Sequence, residues 1–193
     1  MNQTSHFSNA GGASELLAKL FAYWEKIRGG NDVPARADFD PFANPRLLSH
    51  VYLLETQHEG QYRIRTAGED VTRFSGRNIA GRFVDADLYG PIASRLLEAL
   101  DFVCLSRRPV LVKGCIIVRR DSYWSGFETV LLPLANSLGE ITQILGGWVT
   151  VEECVALPQP AEVPALARMD MIADPFRPAS THVEIGRVSH AAR

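Results

Sequence analysis

The residues able to do chemistry in this chain are scattered. Histidines stand at 6, 50, 58, 182 and 190. None has a second ligand four residues away, so the spacing of a helical metal site is missing. The three cysteines, Cys104, Cys115 and Cys154, are far apart and odd in number, with no CxxC pair. They read as reduced thiols of a cytosolic protein. Asp38 and Asp40 read as turn or N-cap carboxylates, because no further oxygen ligands follow at a calcium-loop spacing. A GxSxG nucleophile elbow and a GxxxxGK[ST] phosphate loop are both absent from the sequence. What remains for catalysis is an Asp/His dyad, His50 with Asp38 or Asp40. It would suit an isomerase or hydratase and would require a perturbed carboxylate in a cleft. Arg73, Arg77 and Arg82 cluster within RFSGRNIAGRF and read as a solvated loop face rather than an anion site.

Composition sets the class. Apolar residues make up 46% of the 193 and charged residues 22%, as in ordinary folded domains. The net charge of -2 argues against general nucleic-acid binding, which calls for a clustered basic face. The longest apolar runs, such as Val130 to Ala135, are too short to span a bilayer. The N-terminus carries no basic region followed by an apolar core. A cytoplasmic protein without membrane insertion is expected.

Elements follow from periodicity. Residues 1–13 are polar and read as a flexible N-terminus. Ser14 is a plausible N-cap for ELLAKLFAYWEKIR, and Gly29 a plausible stop. Leu16, Leu20, Trp24 and Ile27 share one stripe of that helix. The stripe is expected either to cover a core or to meet a second copy as a homodimer. A loop with a short helical turn at Pro45 to Ser49 completes a 14–49 region. Val51 to Glu55 and Gln61 to Thr66 read as a hairpin, with Tyr62, Ile64 and Thr66 on one face and Arg63 and Arg65 on the other. A short helix ends at Gly76, another turn or two follows, and a longer helix runs from Pro91 to about Leu105. Val110 to Arg119, Tyr123 to Leu134 and Ile141 to Val151 read as strands, with Gly146-Gly147 marking a bulge or a close backbone approach. Residues 154–193 read as a proline-containing tail with one short helix near Pro164 to Ile172.

Two hairpin strands, a helical crossover and a three-strand meander build an α+β domain: a five-stranded antiparallel sheet over 50–153, preceded by the amphipathic helix. That order, with YWEKIRGGNDVPARADFDP, LLSHVYLLE, YRIRTAGEDV, RFSGRNIAGR, and FETVLLPL followed by ILGGW, resembles a PAS domain. More narrowly, it resembles a PAS-like family of small stand-alone bacterial, mostly alphaproteobacterial, proteins. Ser49 stands where that family would have a proline.

The resemblance implies a sensory or regulatory module rather than an enzyme. Covalent flavin photochemistry of the PAS type would need a cysteine after Arg77-Asn78, and Ile79 stands there. A common heme-binding PAS domain would carry a histidine on the helix from Pro91 to Leu105, which has none. Cys104 is the one alternative axial ligand, and it reads as a packed small hydrophobe. No cofactor is assigned. The expected cavity is lined by Phe74, Leu100 and Cys104 from helices, Tyr123 and Phe127 or Trp124 and Glu128 from the fourth strand, and Trp148 from the fifth. Arg65 is a candidate anchor for an acidic ligand, and Glu128 a buried carboxylate in need of a partner. The expected output is through a homodimer or a partner signalling protein. A small cavity enzyme and a ligand-free scaffold are the competing readings.

Overall fold

A computed structural model describes residues 14–118, 123–151, 166–173 and 181–183. Helix α1 (Glu15–Arg28) begins where Ser14, in extended backbone, accepts from the Leu17 amide. It buries Leu17, Leu20, Phe21 and Trp24. Chain reversal follows at Gly29, whose φ of 59° suits a residue without a Cβ. Strands β1 (Val51–Thr56) and β2 (Tyr62–Ala67) form the expected hairpin. The crossover carries α2 (Glu69–Ser75), closed by Gly76 in the left-handed region, the single turn α3 (Ala86–Tyr89), and α4 (Ala93–Ser106). Strands β3 (Val110–Val118), β4 (Tyr123–Ala135) and β5 (Ile141–Val151) make the meander.

These five strands pair antiparallel in the order β2-β1-β5-β4-β3, the α+β sheet expected. Two further strands extend it. Strand β6 (Leu166–Ala173) pairs antiparallel with β3, and β7 (Thr181–Val183) with β6. The short helix expected near Pro164 to Ile172 is therefore a strand where it is described. An open β3 edge offers a row of unpaired amides and carbonyls, and that outweighs local helical preference. The flexible terminus expected at 1–13 lies outside the described residues, as do Cys154 and most of the tail.

The sheet has two covered faces. Alternation along β4 sends Phe127 and Leu131 to one and Val130, Leu132 and Leu134 to the other. The first face packs against the crossover helices through Val71, Ala99, Leu100 and Val103. The second packs against α1, where the buried Trp24 indole donates to the Pro133 carbonyl at 2.8 Å. The stripe expected as a homodimer face is thus occupied within its own chain: Trp24 is 0% and Leu20 2% exposed, and Leu16 packs against the same cluster. Ile27 is half-buried.

Gly146 and Gly147 explain how both layers approach so closely. A Cβ on Gly146 would lie 2.0 Å from the Tyr52 ring, and one on Gly147 2.5 Å from Leu20. Close approach, not a bulge, is the reason for the pair, since β4 and β5 stay in register through both.

Candidate ligand site

The helix-covered side of the sheet carries a line of aromatic and hydroxyl groups. Register places Tyr52 opposite Gly146, and Thr129 opposite Trp148. The missing Gly146 side chain lets the Tyr52 ring lie across β5, and its hydroxyl meets Thr129 Oγ1 at 2.7 Å. Burial raises the Tyr52 phenol well above its ordinary value, and the hydrogen bond to Thr129 only partly offsets this. Tyr89, at the end of α3, is pushed up to about 12, again by burial, with the neighbouring Arg77 opposing.

Trp148 lies at the centre of this line. Its ring stacks on Phe127 at 4.5 Å and 10°, and tilts against Phe74 of α2 at 4.7 Å and 46°. Its Nε1 is buried and has no hydrogen-bond partner. Buried donors are almost always paired, so this indole is an exception that calls for an explanation.

A second polar group sits where β2 meets α4. The Tyr62 hydroxyl donates to Asp101 Oδ1 at 2.6 Å and lies 3.6 Å from Cys104 Sγ. Burial raises the Tyr62 phenol far above its ordinary range, and the bond to Asp101 adds to this. Burial also pushes the Cys104 thiol up, which disfavours the thiolate that a heme iron would require.

Of the residues expected to line a cavity, Phe74, Leu100, Cys104 and Trp148 all face this side. On β4 it is Phe127, not Glu128, that faces it. Tyr123 opens β4, but its side chain lies outside the described residues, as does that of Trp124. Two expectations are corrected. Arg65 points to solvent and pairs with Glu55 at 3.2 Å, because the alternation that buries Tyr62 and Ile64 turns it outward. Glu128 is buried on the opposite face, where Lys113 Nζ lies 2.9 Å away and the Ser14 amide donates to it at 2.8 Å. It anchors the start of α1 and does not meet Arg65. His50 lies 3.4 Å from Asp70, while Asp38 and Asp40 are exposed and Asp40 accepts from the Phe42 amide. The His50 dyad with Asp38 or Asp40 is not what forms. Asp70 is held below the usual carboxylate range, first by a hydrogen bond from Ser49, then by His50 and Arg73.

Tyr52, Thr129, Tyr89 and the Tyr62–Asp101 pair were not anticipated as site residues. One signal was available for Tyr52: a glycine inside an apolar strand invites an aromatic ring from its neighbour. A small open cleft lies on the other side of the molecule, between Leu20 and Tyr23 of α1 and the loop from Phe39 to Leu48.

The family model described as PAS domain matches residues 13–149. The chain belongs to the PAS domain family. Members of this family are generally non-enzymatic sensory modules. Among solved structures, the PAS domain from Bordetella pertussis BvgS is similar at 19% identity and a TM-score of 0.44, over 70% of this chain and 88% of that one. VqmA bound to DPO is similar at 13% identity and a TM-score of 0.47, over 58% of this chain and 57% of that one. The Vibrio cholerae VqmA dimer without target DNA is similar at 13% identity and 0.48, over 60% and 52%. The likeness thus spans little more than half of the VqmA chains. No curated protein matches the sequence. No helix among the described residues of this PAS domain is long and apolar enough to cross a membrane.

Proposed function

We propose that this PAS domain is a non-enzymatic, cytoplasmic sensory module whose ligand seats against Trp148, with output through a partner protein. The observation that carries the reading is the buried, unpaired Trp148 Nε1 between two aromatic faces. A flat, largely apolar molecule with one hydrogen-bond acceptor would satisfy that donor and stack on the rings. Phe74 is half-buried at the end of a seven-residue helix, so it is the group that gives way. Phe74, Leu100 and Cys104 would then border the ligand, and the Tyr52–Thr129 pair would offer a second polar contact. Signalling is a population shift: a ligand that displaces Phe74 favours one arrangement of the crossover helices over another.

Native mass spectrometry of the purified protein, incubated with a panel of flat heteroaromatic compounds, tests this. A bound mass is expected, and Trp148→Phe should weaken binding about ten-fold by removing the donor while keeping a ring. Equal retention by Trp148→Phe, or no binding across the panel, would overturn it. The contacts among Phe74, Phe127 and Trp148 favour a second reading, a ligand-free scaffold with a filled core. An empty native mass with an unchanged melting temperature would support that one.

A further inference from the structure

We propose that β6 is a removable cap on a strand-addition site, and that the site's other occupant is β3 of a second copy. This inference is independent of the ligand reading at Trp148. Strand β3 reads VLVKGCIIV, nine residues with one charge and no proline. Without β6 it would be a long apolar edge, the kind that pairs with another chain. Strand β6, seated there antiparallel from Val110↔Ala173 to Ile116↔Leu166, shows that the edge accepts a strand along nearly its full length. The matched PAS segment ends at residue 149, so the cap comes from chain outside it. Met171 is the contact that ties the cap to the core, 3% exposed beside the cluster that holds Val110 and Val112.

An antiparallel pair of β3 strands centred on Gly114 sets Val110 of one copy against Val118 of the other. Lys113 then faces Cys115 rather than a second lysine, so no like charges oppose. Residues facing each other across such a pair share a side of the sheet, so the helix-covered faces of the two copies stay on one side. The route through α1 is closed because Leu20 and Trp24 are buried at home. The tail therefore controls self-association by competing for one edge.

The full chain carrying Asp170→Pro and Met171→Pro tests this. Successive residues send their amides to opposite edges, so one of the two prolines removes a donor to β3. By light scattering, the unmodified chain should be a monomer and the variant a dimer, and added peptide LARMDMIA should return the variant to monomer. Three results would overturn the proposal: a folded monomeric variant, an oligomer that the peptide does not dissolve, or an unmodified chain that is already dimeric. Should the variant unfold, hydrogen exchange on the unmodified chain decides. Amides on the outer edge of β3 should exchange at least about ten-fold faster than those between β4 and β5, because opening of the cap is local. Exchange of both sets at one common rate would reject a removable cap.

Discussion

Replacing Gly146 with alanine should probe the closest approach made to any described glycine. The new methyl would lie 2.0, 2.3 and 2.4 Å from three carbons of the Tyr52 ring. Carbon atoms rest at about 3.5–4.0 Å, so the ring must retreat by roughly 1.5 Å. Overpacking of this kind costs about 1–3 kcal/mol. The retreat also strains or breaks the 2.7 Å bond between Tyr52 and Thr129, worth about 1 kcal/mol. Alanine returns about 0.4–1 kcal/mol by stiffening the unfolded chain. The net expectation is a loss of about 2–3 kcal/mol, or roughly 5–10 °C in melting temperature for a chain of this size.

Gly147→Ala is the internal control. Its methyl would meet Leu20 Cδ2 at 2.5 Å, Leu17 Cδ2 at 3.0 Å and Val130 Cγ1 at 3.3 Å, all ends of side chains that can rotate away. It should cost about 1 kcal/mol. Urea denaturation of Gly146→Ala, Tyr52→Ala and the double variant supplies the cycle. With the ring gone, the alanine should cost less than about 0.5 kcal/mol, leaving a coupling of roughly 2 kcal/mol. Equal cost in both backgrounds would show that the ring is not why glycine stands at 146. So would a larger effect at Gly147.

Glu128→Ala should destabilise the chain by about 2–4 kcal/mol, since it strips Lys113 of its buried carboxylate and the α1 terminus of its acceptor. Faster hydrogen exchange in α1 than in α4 would be the signature, and Glu128→Gln should cost less. Arg65→Ala should shift stability by less than about 1 kcal/mol and leave ligand binding unchanged, because its pair with Glu55 is largely solvated. Alkaline titration should unfold the protein. Tyr52, Tyr62 and Tyr89 all have folded values above the ordinary 10.0, so the unfolded chain releases protons that the folded chain retains. Their stabilisation is fully present below pH 10 and is lost as pH rises beyond it, by about 1.4 kcal/mol per tyrosine per pH unit. The phenolate absorbance of these three tyrosines should appear together with loss of the far-UV signal, and Tyr89→Phe should move that transition to higher pH. Phenolate formation at Tyr52, Tyr62 or Tyr89 near pH 10 with the fold intact, read as absorbance lost in the matching Phe variant, would refute the burial argument.

The strands and helices that pack on one another within a few dozen residues were legible as pattern. Alternation gave Tyr62 and Ile64 as the buried face of β2 and, applied to Arg65, excludes it from the interior, but Thr66, expected beside them, is exposed because the register with β1 shifts between Leu53 and Leu54. Ser14 and Gly29 bounded α1 correctly because caps are local chemistry. The fourth strand defeated the same reasoning: both of its faces are covered, so VLLPL is apolar throughout, Glu128 and Thr129 are both buried, and alternation vanishes. The choice between Phe127 and Glu128 then rests on which strand and helix lie above each residue. Glu128 goes toward α1 because Lys113 and the Ser14 amide wait there, contacts separated in sequence by up to 114 positions. Strand β6 was missed for a related reason, since its conformation is set by the β3 edge and not by LARMDMIA itself.

The site obeys the same division. Phe74, Leu100, Cys104 and Trp148 could be placed because each lies on an apolar stripe, and apolar stripes face cores. The hydroxyl groups could not, because a tyrosine's ring and its oxygen follow different rules: the ring follows the stripe, while the oxygen follows a partner that only the register supplies. Tyr52 finds Thr129 because β1 and β4 both border β5, and β5 has a glycine at the crossing. That crossing also links the two faces. Gly146 seats the ring line under the crossover helices, and its neighbour Gly147 seats Leu17 and Leu20 of α1. A ligand that moved the Tyr52 ring would therefore press on the strand whose next residue supports α1. The proposed ligand face and the α1 packing face meet at two adjacent residues of β5, and Gly146→Ala perturbs that meeting point while its new methyl would meet Tyr52.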